Sequence, residues 1–541
     1  MVQLYNEGTA ETVMLPMNDG VKLQTTIWLP QKNKKFPVIL KRSCYPGQKQ
    51  ELEEQAKEFC RQGFGFVYQW CRGIAESEGI WEPNVNERKD GIDTVNWLSE
   101  QPYVKNIGYW GDSYLALTGW CMIDAVQEKV QTMFLGVYGV DRHTSAYCDG
   151  MFRQDVLTSW AMQNAGKEIK KDLMESYRFR PQKEVDKQLW NVYLEWYREW
   201  ISHPDRSDGY WKKGFWGMLK EIPEKVNIPL FIKEGWYDHH LGSALVTYEL
   251  LKEEVKNHSI LEIGPWNHAY GNAIPTENTE NANINELQEA IAWFKKILVE
   301  AVLPEGCIRE YVIGSDKWME KKKRTECGTE KKYLYLAVDE KSGKKFIDDK
   351  LWNNSCVTYL YDPENPVMSH GCESLLANMS ENGSLQQPEA DWKEDVRSFI
   401  SEPLEKSMLV DGAINIKMFV SSDAEDTAFT AKIMEECADG RIVNVRSGIT
   451  TLAYRNSSDR RIKYNPKEIV EINIKMWDIA WLFRVGSRIR VDISSSDFPE
   501  YSIHTNYAGI WSEQRKVKKA IQTIYTGKDY PSGIEFPVKA I

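Results

Sequence analysis

Ser113 stands in Gly111-Asp112-Ser113, the only Gly-x-Ser among the 35 glycines of this 541-residue chain. A serine hydroxyl attacks a carbonyl carbon usefully only when a neighbouring base takes its proton and a carboxylate orients that base. A candidate nucleophile therefore calls for a histidine and an acid. The chain has eight histidines, at 143, 203, 239, 240, 258, 268, 370 and 504. His268 follows the apolar run Ser259-Ile260-Leu261-Glu262-Ile263 and the turn Gly264-Pro265-Trp266-Asn267, which is where a base held at a strand end would sit. Asp238 follows Phe231-Ile232-Lys233-Glu234 and the loop Gly235-Trp236-Tyr237, a matching position for the acid. His239 and His240 are nearer the acid in sequence and are the rival bases. Adjacent histidines point apart and have no second ligand pair nearby, so the doublet is not read as a metal site.

Ile107 to Trp110 reads as a short buried strand, and Leu115, Leu117, Trp120, Cys121 and Ala125 recur at helical spacing. A strand turning sharply into a helix with Gly-x-Ser at the corner is the nucleophile elbow of an α/β-hydrolase. The tight corner calls for Gly111 two places before the serine, and the helix N-terminus beneath favours developing negative charge. The order serine, acid, histidine is the one this fold uses. Leu115 replaces the motif's usual second glycine.

At this length two to four domains are expected. The net charge of −11 argues against nucleic acid and against a basic membrane-binding face. The ten cysteines contain no Cys-x-x-Cys, which argues against zinc and redox sites. Met1 to Glu7 lacks a basic segment followed by an apolar run, and no stretch is long and apolar enough to span a bilayer. The expectation is a cytoplasmic protein with no metal and no cofactor, with self-association left open.

Val21–Trp28, Phe36–Lys41 and Phe64–Gln69 read as strands, and Glu51–Gln62 and Asp90–Gln101 as helices packing on them. Strands alternating with helices predict a mostly parallel sheet covered on both faces. From Asp141 to Lys225 the pattern is Trp- and Tyr-rich and helical, with Lys187–Trp200 as one helix-length run. Strands resume at Ile228–Glu234 and Ser259–Ile263, a long helix follows over Glu286–Ala301, and Tyr311–Gly314 is the candidate last strand. Beyond Lys331 short alternating strands predict an antiparallel jelly roll. Lys321-Lys322-Lys323-Arg324 reads as a solvated linker. The expected class is α/β: hydrolase core over residues 1–140 and 226–325, helical cap over 141–225, jelly roll over 326–541.

These residues together resemble the CocE/NonD-type serine hydrolases, which group cocaine esterase, α-amino-acid ester hydrolases and X-Pro dipeptidyl aminopeptidases. The resemblance runs through Gln69-Trp70-Cys71-Arg72-Gly73 to Ser77-Glu78-Gly79, Asp90-Gly91 to Gln101-Pro102, Gly111-Asp112-Ser113-Tyr114, Gly235-Trp236-Tyr237-Asp238 and Gly264-Pro265-Trp266-Asn267-His268. In the C-terminal part it includes Ser421 to Thr427 and Ser494 to Pro499. It implies Ser113, Asp238 and His268 as the triad, with Tyr45 and the backbone N–H of Tyr114 holding the oxyanion. Trp236 and Trp266 are candidates for the substrate pocket. Ala116 stands where the family usually has glycine. His239-His240-Leu241 follows the acid where amino-ester hydrolases carry carboxylates for a substrate ammonium, which disfavours an α-amino-acyl substrate. The expected activity is a serine carboxylesterase acting on a small ester. The alternative is an X-Pro dipeptidyl aminopeptidase or amidase acting on peptide N-termini, with Asp149 or Asp155 available to anchor the ammonium. A glycan-binding jelly roll with a silent hydrolase core is the third reading.

Overall fold

The computed structural model describes residues 5–328 and 330–540; Met1 to Leu4, part of the leader reading, lies outside them. The first strands are β1 (Thr9–Pro16), β2 (Lys22–Leu29), β3 (Phe36–Ser43), β4 (Gly65–Trp70), β5 (Val104–Asp112) and β6 (Val130–Gly136). After a two-residue hairpin, β7 (Tyr147–Cys148) with β8 (Met151–Phe152), come β9 (Leu230–Tyr237), β10 (Ile260–Asn267), β11 (Cys307–Val312) and β12 (Lys317–Lys321). Ten of these form one sheet in the order β1-β2-β4-β3-β5-β6-β9-β10-β11-β12. From β4 to β11 every neighbour pair is parallel. All eight residues of β3 and all eight of β9 are buried, as strands covered by helices on both faces must be. The helix Lys49–Arg61 lays Phe59 against Phe66 and Trp110 on one of those faces. The last strand of the sheet is β12, which pairs antiparallel beyond β11, one strand further than the sequence indicates.

Between β6 and β9 the chain forms seven short α-helices, two 3-10 turns and the β7–β8 hairpin, and this segment lies over the end of the sheet where Ser113 emerges. The run Lys187–Trp200 is not one helix. It splits into Val185–Gln188 and Glu195–Ser202 because Asp186 accepts the Leu194 N–H at 3.0 Å and grips Arg198 with both carboxylate oxygens, at 2.8 and 2.6 Å. A local polar clamp thus outcompetes helical periodicity.

From Glu330 onward the chain builds an eleven-stranded, mainly antiparallel jelly-roll assembly. Its spine is Met408–Ser422 paired along its length with Val470–Phe483. Ile414, Ile416, Met418 and Val420 alternate into the interior, the period-two pattern expected of a half-buried strand. The run at 321–324 is not a solvated linker. Lys321 ends β12 with its side chain fully buried between Glu310 and Asp411, and Arg324 pairs with Asp478 at 2.5 Å and Glu249 at 3.0 Å. Only Lys322 and Lys323 of that run extend to the surface. Buried Lys321 and half-buried Arg324 bind the hydrolase part to the jelly roll. Among the described residues no helix is long and apolar enough to cross a membrane.

Candidate active site

Strand β5 ends at Asp112, and the helix Tyr114–Trp120 begins one residue later. Ser113 fills the corner with φ +53°, a left-handed conformation that a serine adopts only where its surroundings impose it. A Cβ on Gly111 would lie 2.3 Å from the Leu115 carbonyl oxygen and 2.9 Å from the Ala116 nitrogen, so only glycine fits there. Ala116 is fully buried and its N–H donates to the Ser113 carbonyl at 2.9 Å, so its methyl group is accommodated within the corner.

His268 follows β10 directly and brings its Nε2 to 2.9 Å from Ser113 Oγ. Its Nδ1 lies 2.5 Å from Asp238 Oδ2. The other oxygen of Asp238 accepts the His240 N–H at 2.6 Å, which fixes the carboxylate plane. The structure thus brings Ser113, His268 and Asp238 together in one hydrogen-bonded line across 155 residues of sequence. His239 and His240 do not take the base position. His240 Nδ1 sits 2.9 Å from Ser145 Oγ, and the His239 ring lies 4.3 Å from that of His268. Burial pushes both of these imidazoles well below their ordinary range, helped by the nearby Arg142 charge, so both stay neutral. Asp238, His239 and His268 offer three clustered donor atoms. The Asp238–His268 hydrogen bond already uses one donor from each of two of them, so the set fits an acid–base relay rather than a metal.

Residues outside the triad hold this line in place. Asp112, the middle residue of Gly-x-Ser, accepts the Tyr270 hydroxyl at 3.0 Å and lies 3.5 Å from Lys41 Nζ. Tyr270 is two residues beyond the base, so this bond ties the histidine loop to the elbow. Asn267 accepts the N–H groups of Ala269 and Gly271 at 3.1 Å and shapes the same loop. The jelly roll reaches the acid: Arg446 donates to the Trp236 carbonyl at 2.5 Å and Asn382 to the Tyr237 carbonyl at 3.2 Å. Behind the acid, burial and the Asp238 charge raise the Glu234 carboxyl well above the usual carboxylate range.

Tyr45 follows β3, and its hydroxyl accepts the Trp160 indole N–H at 3.0 Å. Burial raises its pKa well above that of a free phenol, which keeps it a donor. Tyr114 opens its helix, so its backbone N–H has no carbonyl within the helix to bond. The Tyr114 side chain packs inward, donating to Glu87 Oε1 at 2.6 Å and stacking on Trp160.

Ser113, His268, Tyr45 and Tyr114 open onto a cavity of about 40 Å³. Its cap-side wall is Arg142, Trp160, Trp200 and Trp216. Trp236 and Trp266, expected in the pocket, do not line it. Trp236 is buried in the core with its indole N–H on the Tyr311 carbonyl, and Trp266 packs under Lys233 and beside Trp318. Both belong to strands whose side chains are covered by the next layer. Asp149 and Asp155 also lie outside the lining. Asp155 accepts the Leu376 and Ala377 N–H groups and the Tyr177 hydroxyl, and Asp149 accepts the Ser458 hydroxyl. Among the described lining residues there is no aspartate or glutamate. The motif residue Arg72 is structural, bridging Asp19 at 2.8 Å and Asp90 at 2.7 Å.

Comparison with known proteins adds sequence and fold relatives. Residues 19–270 match the family model for X-Pro dipeptidyl-peptidase of the S15 family. Residues 314–535 match that for the X-Pro dipeptidyl-peptidase C-terminal non-catalytic domain. The cocaine esterase of Rhodococcus sp. (strain MB1 Bresler) is 27% identical over 581 residues, covering 98% of this chain and 99% of that protein. A solved α-amino acid ester hydrolase aligns over 99% of this chain and 97% of its own at TM-score 0.81 and 21% identity. An aminopeptidase from a marine sediment archaeon, Thaumarchaeota archaeon, aligns over 100% and 97% at TM-score 0.81 and 20% identity. At those identities the two structures speak to the fold alone.

Proposed function

The chain belongs to the CocE/NonD-type serine hydrolases, and from that premise we propose that it is a carboxylesterase working through an acyl-enzyme on Ser113. The carrying observation is the unbroken line from Ser113 Oγ through His268 to Asp238. His268 Nε2 takes the hydroxyl proton as Oγ adds to the ester carbonyl. Asp238 keeps the proton on Nδ1 and balances the imidazolium. The oxyanion receives the Tyr114 N–H and the Tyr45 hydroxyl, donors aimed at charge that exists only in the transition state. Collapse of the tetrahedral intermediate expels the alkoxide, which takes the proton from His268. Water then attacks the acyl-enzyme with His268 again as base, releasing the acid and restoring Ser113.

An aminopeptidase needs a carboxylate for the substrate ammonium, because an unpaired buried cation is destabilised by several kcal/mol, roughly. No lining residue supplies one, and Asp149 and Asp155 are engaged elsewhere. That favours ester cleavage over the peptidase reading. The test is fluorophosphonate labelling with peptide mass mapping, alongside turnover of p-nitrophenyl esters and of Gly-Pro and Ala-Pro anilides. The adduct is expected on Ser113, with ester turnover lost in Ser113→Ala. An adduct elsewhere, or anilides cleaved better than esters, overturns the proposal.

A further inference from the structure

Arg142 is the first residue of the helix Arg142–Ala146 and lines the cavity with Ser113 and His268. Its guanidinium lies over Trp200 at 4.7 Å and Trp216 at 5.8 Å from the ring centroids. Among the described residues this guanidinium makes no hydrogen bond and has no carboxylate within ion-pair distance, and its Nε is buried without a partner. The neighbouring carboxylate, Asp141, faces the other way and is held by Arg206 at 2.7 Å and Lys220 at 2.9 Å. The fully buried arginines differ in having a polar or charged partner, although Arg42 Nη2, Arg153 Nε and Arg446 Nε also lack one. Arg42 donates to Gln69 and the Glu87 carbonyl, Arg153 pairs with Glu500, Arg446 with Glu373, and Arg490 with Asp492.

Arg142 is half-buried, and a cation withdrawn from water without a counter-charge is unfavourable, so such sites call for a partner. Nothing charged on the cavity wall serves: the rest of the lining is aromatic or apolar except Ser113, Asn84 and three histidines. Burial lowers Arg142 from its ordinary value, yet a guanidinium remains charged in any protein interior. Trp200 and Trp216 pack on the guanidinium, and among the described residues no acceptor takes its N–H groups, a setting that suits a planar, two-oxygen acceptor. The cavity is small, about 40 Å³, so the acceptor must arrive on a short chain from the scissile carbonyl.

We propose that Arg142 is a specificity-determining residue that receives a carboxylate carried on the acyl group, so that the preferred substrates are short hemiesters of dicarboxylic acids. This rests on the serine-esterase reading of the same site. The acyl chain stays bound to Ser113 after the alcohol departs, so the Arg142–carboxylate pair also holds the acyl-enzyme in place for attack by water. Arg142 positions the acyl group and takes no proton.

The test compares monoethyl succinate with ethyl 4-methylpentanoate, in which an isopropyl group replaces the carboxylate at nearly the same size. Hydrolysis is followed by chromatography, since alkyl esters avoid self-catalysed breakdown. The wild-type enzyme should favour the succinate ester in kcat/KM by tenfold or more, which needs no variant. Arg142→Met should cost the succinate ester on the order of 100-fold while the neutral ester stays within about threefold. Arg142→Lys should recover part of the loss, because an ammonium keeps the charge but not the fork. A wild-type preference for the neutral ester, or an equal loss on both esters in Arg142→Met, overturns the inference. If neither ester turns over and Ser113 fails to label with fluorophosphonate, the esterase reading falls with it. If the neutral ester turns over in a Ser113-dependent way without a preference for the acid, only this inference falls.

Discussion

Gly111→Ala is the sharpest perturbation of the elbow. The added methyl would sit 2.3 Å from the Leu115 carbonyl oxygen, 2.5 Å from its carbon and 2.9 Å from the Ala116 nitrogen, all backbone atoms that cannot swing aside. Ordinary contact begins at about 3.3 Å, so β5 and the helix it feeds must separate by roughly 1 Å. Ser113 lies between them, and its Oγ is only 2.9 Å from His268 Nε2. A shift of that size takes the pair out of hydrogen-bond range. Misplacement by about 1 Å costs on the order of 100-fold in rate, or about 2.7 kcal/mol in the barrier. Overpacking adds about 1–3 kcal/mol of lost stability. The assay is kcat/KM on a p-nitrophenyl ester together with the fluorophosphonate labelling rate and the thermal midpoint. Gly209→Ala, where the methyl meets nothing within 4 Å, is the control and should leave both rates unchanged. A Gly111→Ala enzyme with wild-type kcat/KM and an unchanged midpoint would refute the argument that the corner's tightness sets the nucleophile.

Four further outcomes are expected. His268→Ala should lose about 10⁴-fold or more in kcat, whereas His239→Ala and His240→Ala should each lose at least a hundredfold less; equal losses in all three would mean the base is misassigned. Tyr45→Phe should lower kcat by about 10²–10³-fold with little change in KM, and an unchanged kcat excludes its hydroxyl from the oxyanion site. Burial raises the Asp141 carboxyl, but Arg206 and Lys220 outweigh it and hold it down to about 2, below the unfolded value of about 3.9. A depressed acid stabilises the fold above the unfolded pKa and loses that stabilisation as pH falls through the folded one. Asp141→Asn should therefore cost about 2 kcal/mol at pH 7 in denaturant titrations, with the gap to wild type closing between about pH 4 and 2. Lys321→Met takes the shared cation from Glu310 and Asp411 in the interface between the sheet and the jelly roll, leaving Asp411 only Lys539 at 3.5 Å, and should cost about 3–5 kcal/mol. Replacing all three by apolar residues should recover most of that, and a single variant as stable as wild type would show the pair to be dispensable.

The parts of this protein that sequence alone determined are those set by local chemistry. Gly-Asp-Ser between an apolar run and a helical repeat specifies a sharp corner, because only glycine tolerates the backbone contact at position 111. The strand ends carrying Asp238 and His268 were legible because buried parallel strands read as unbroken apolar runs, and the residue after each run has to face the sheet's edge. The jelly roll was legible from period-two alternation, which a half-buried strand imposes on its own residues. Tertiary structure alone decided everything that depends on which side chains meet across the fold. Lys321 and Arg324 sit in a run of four cations that reads as solvated, yet Glu310 and Asp411 draw Lys321 inside and Asp478 holds Arg324 half-buried, from strands far apart in sequence. Trp236 and Trp266 stand two places before the acid and base but lie within their strands, where Tyr311 and the Lys233–Trp318 layer cover them. Their place is taken by Trp160, Trp200 and Trp216 from the cap, whose helices carry no motif and whose arrangement follows from packing against the sheet end. Arg142 has one Asp beside it in sequence, which locally reads as a paired charge. Only the fold turns Asp141 toward Arg206 and Lys220 and leaves Arg142 in the wall of the cavity that holds the nucleophile.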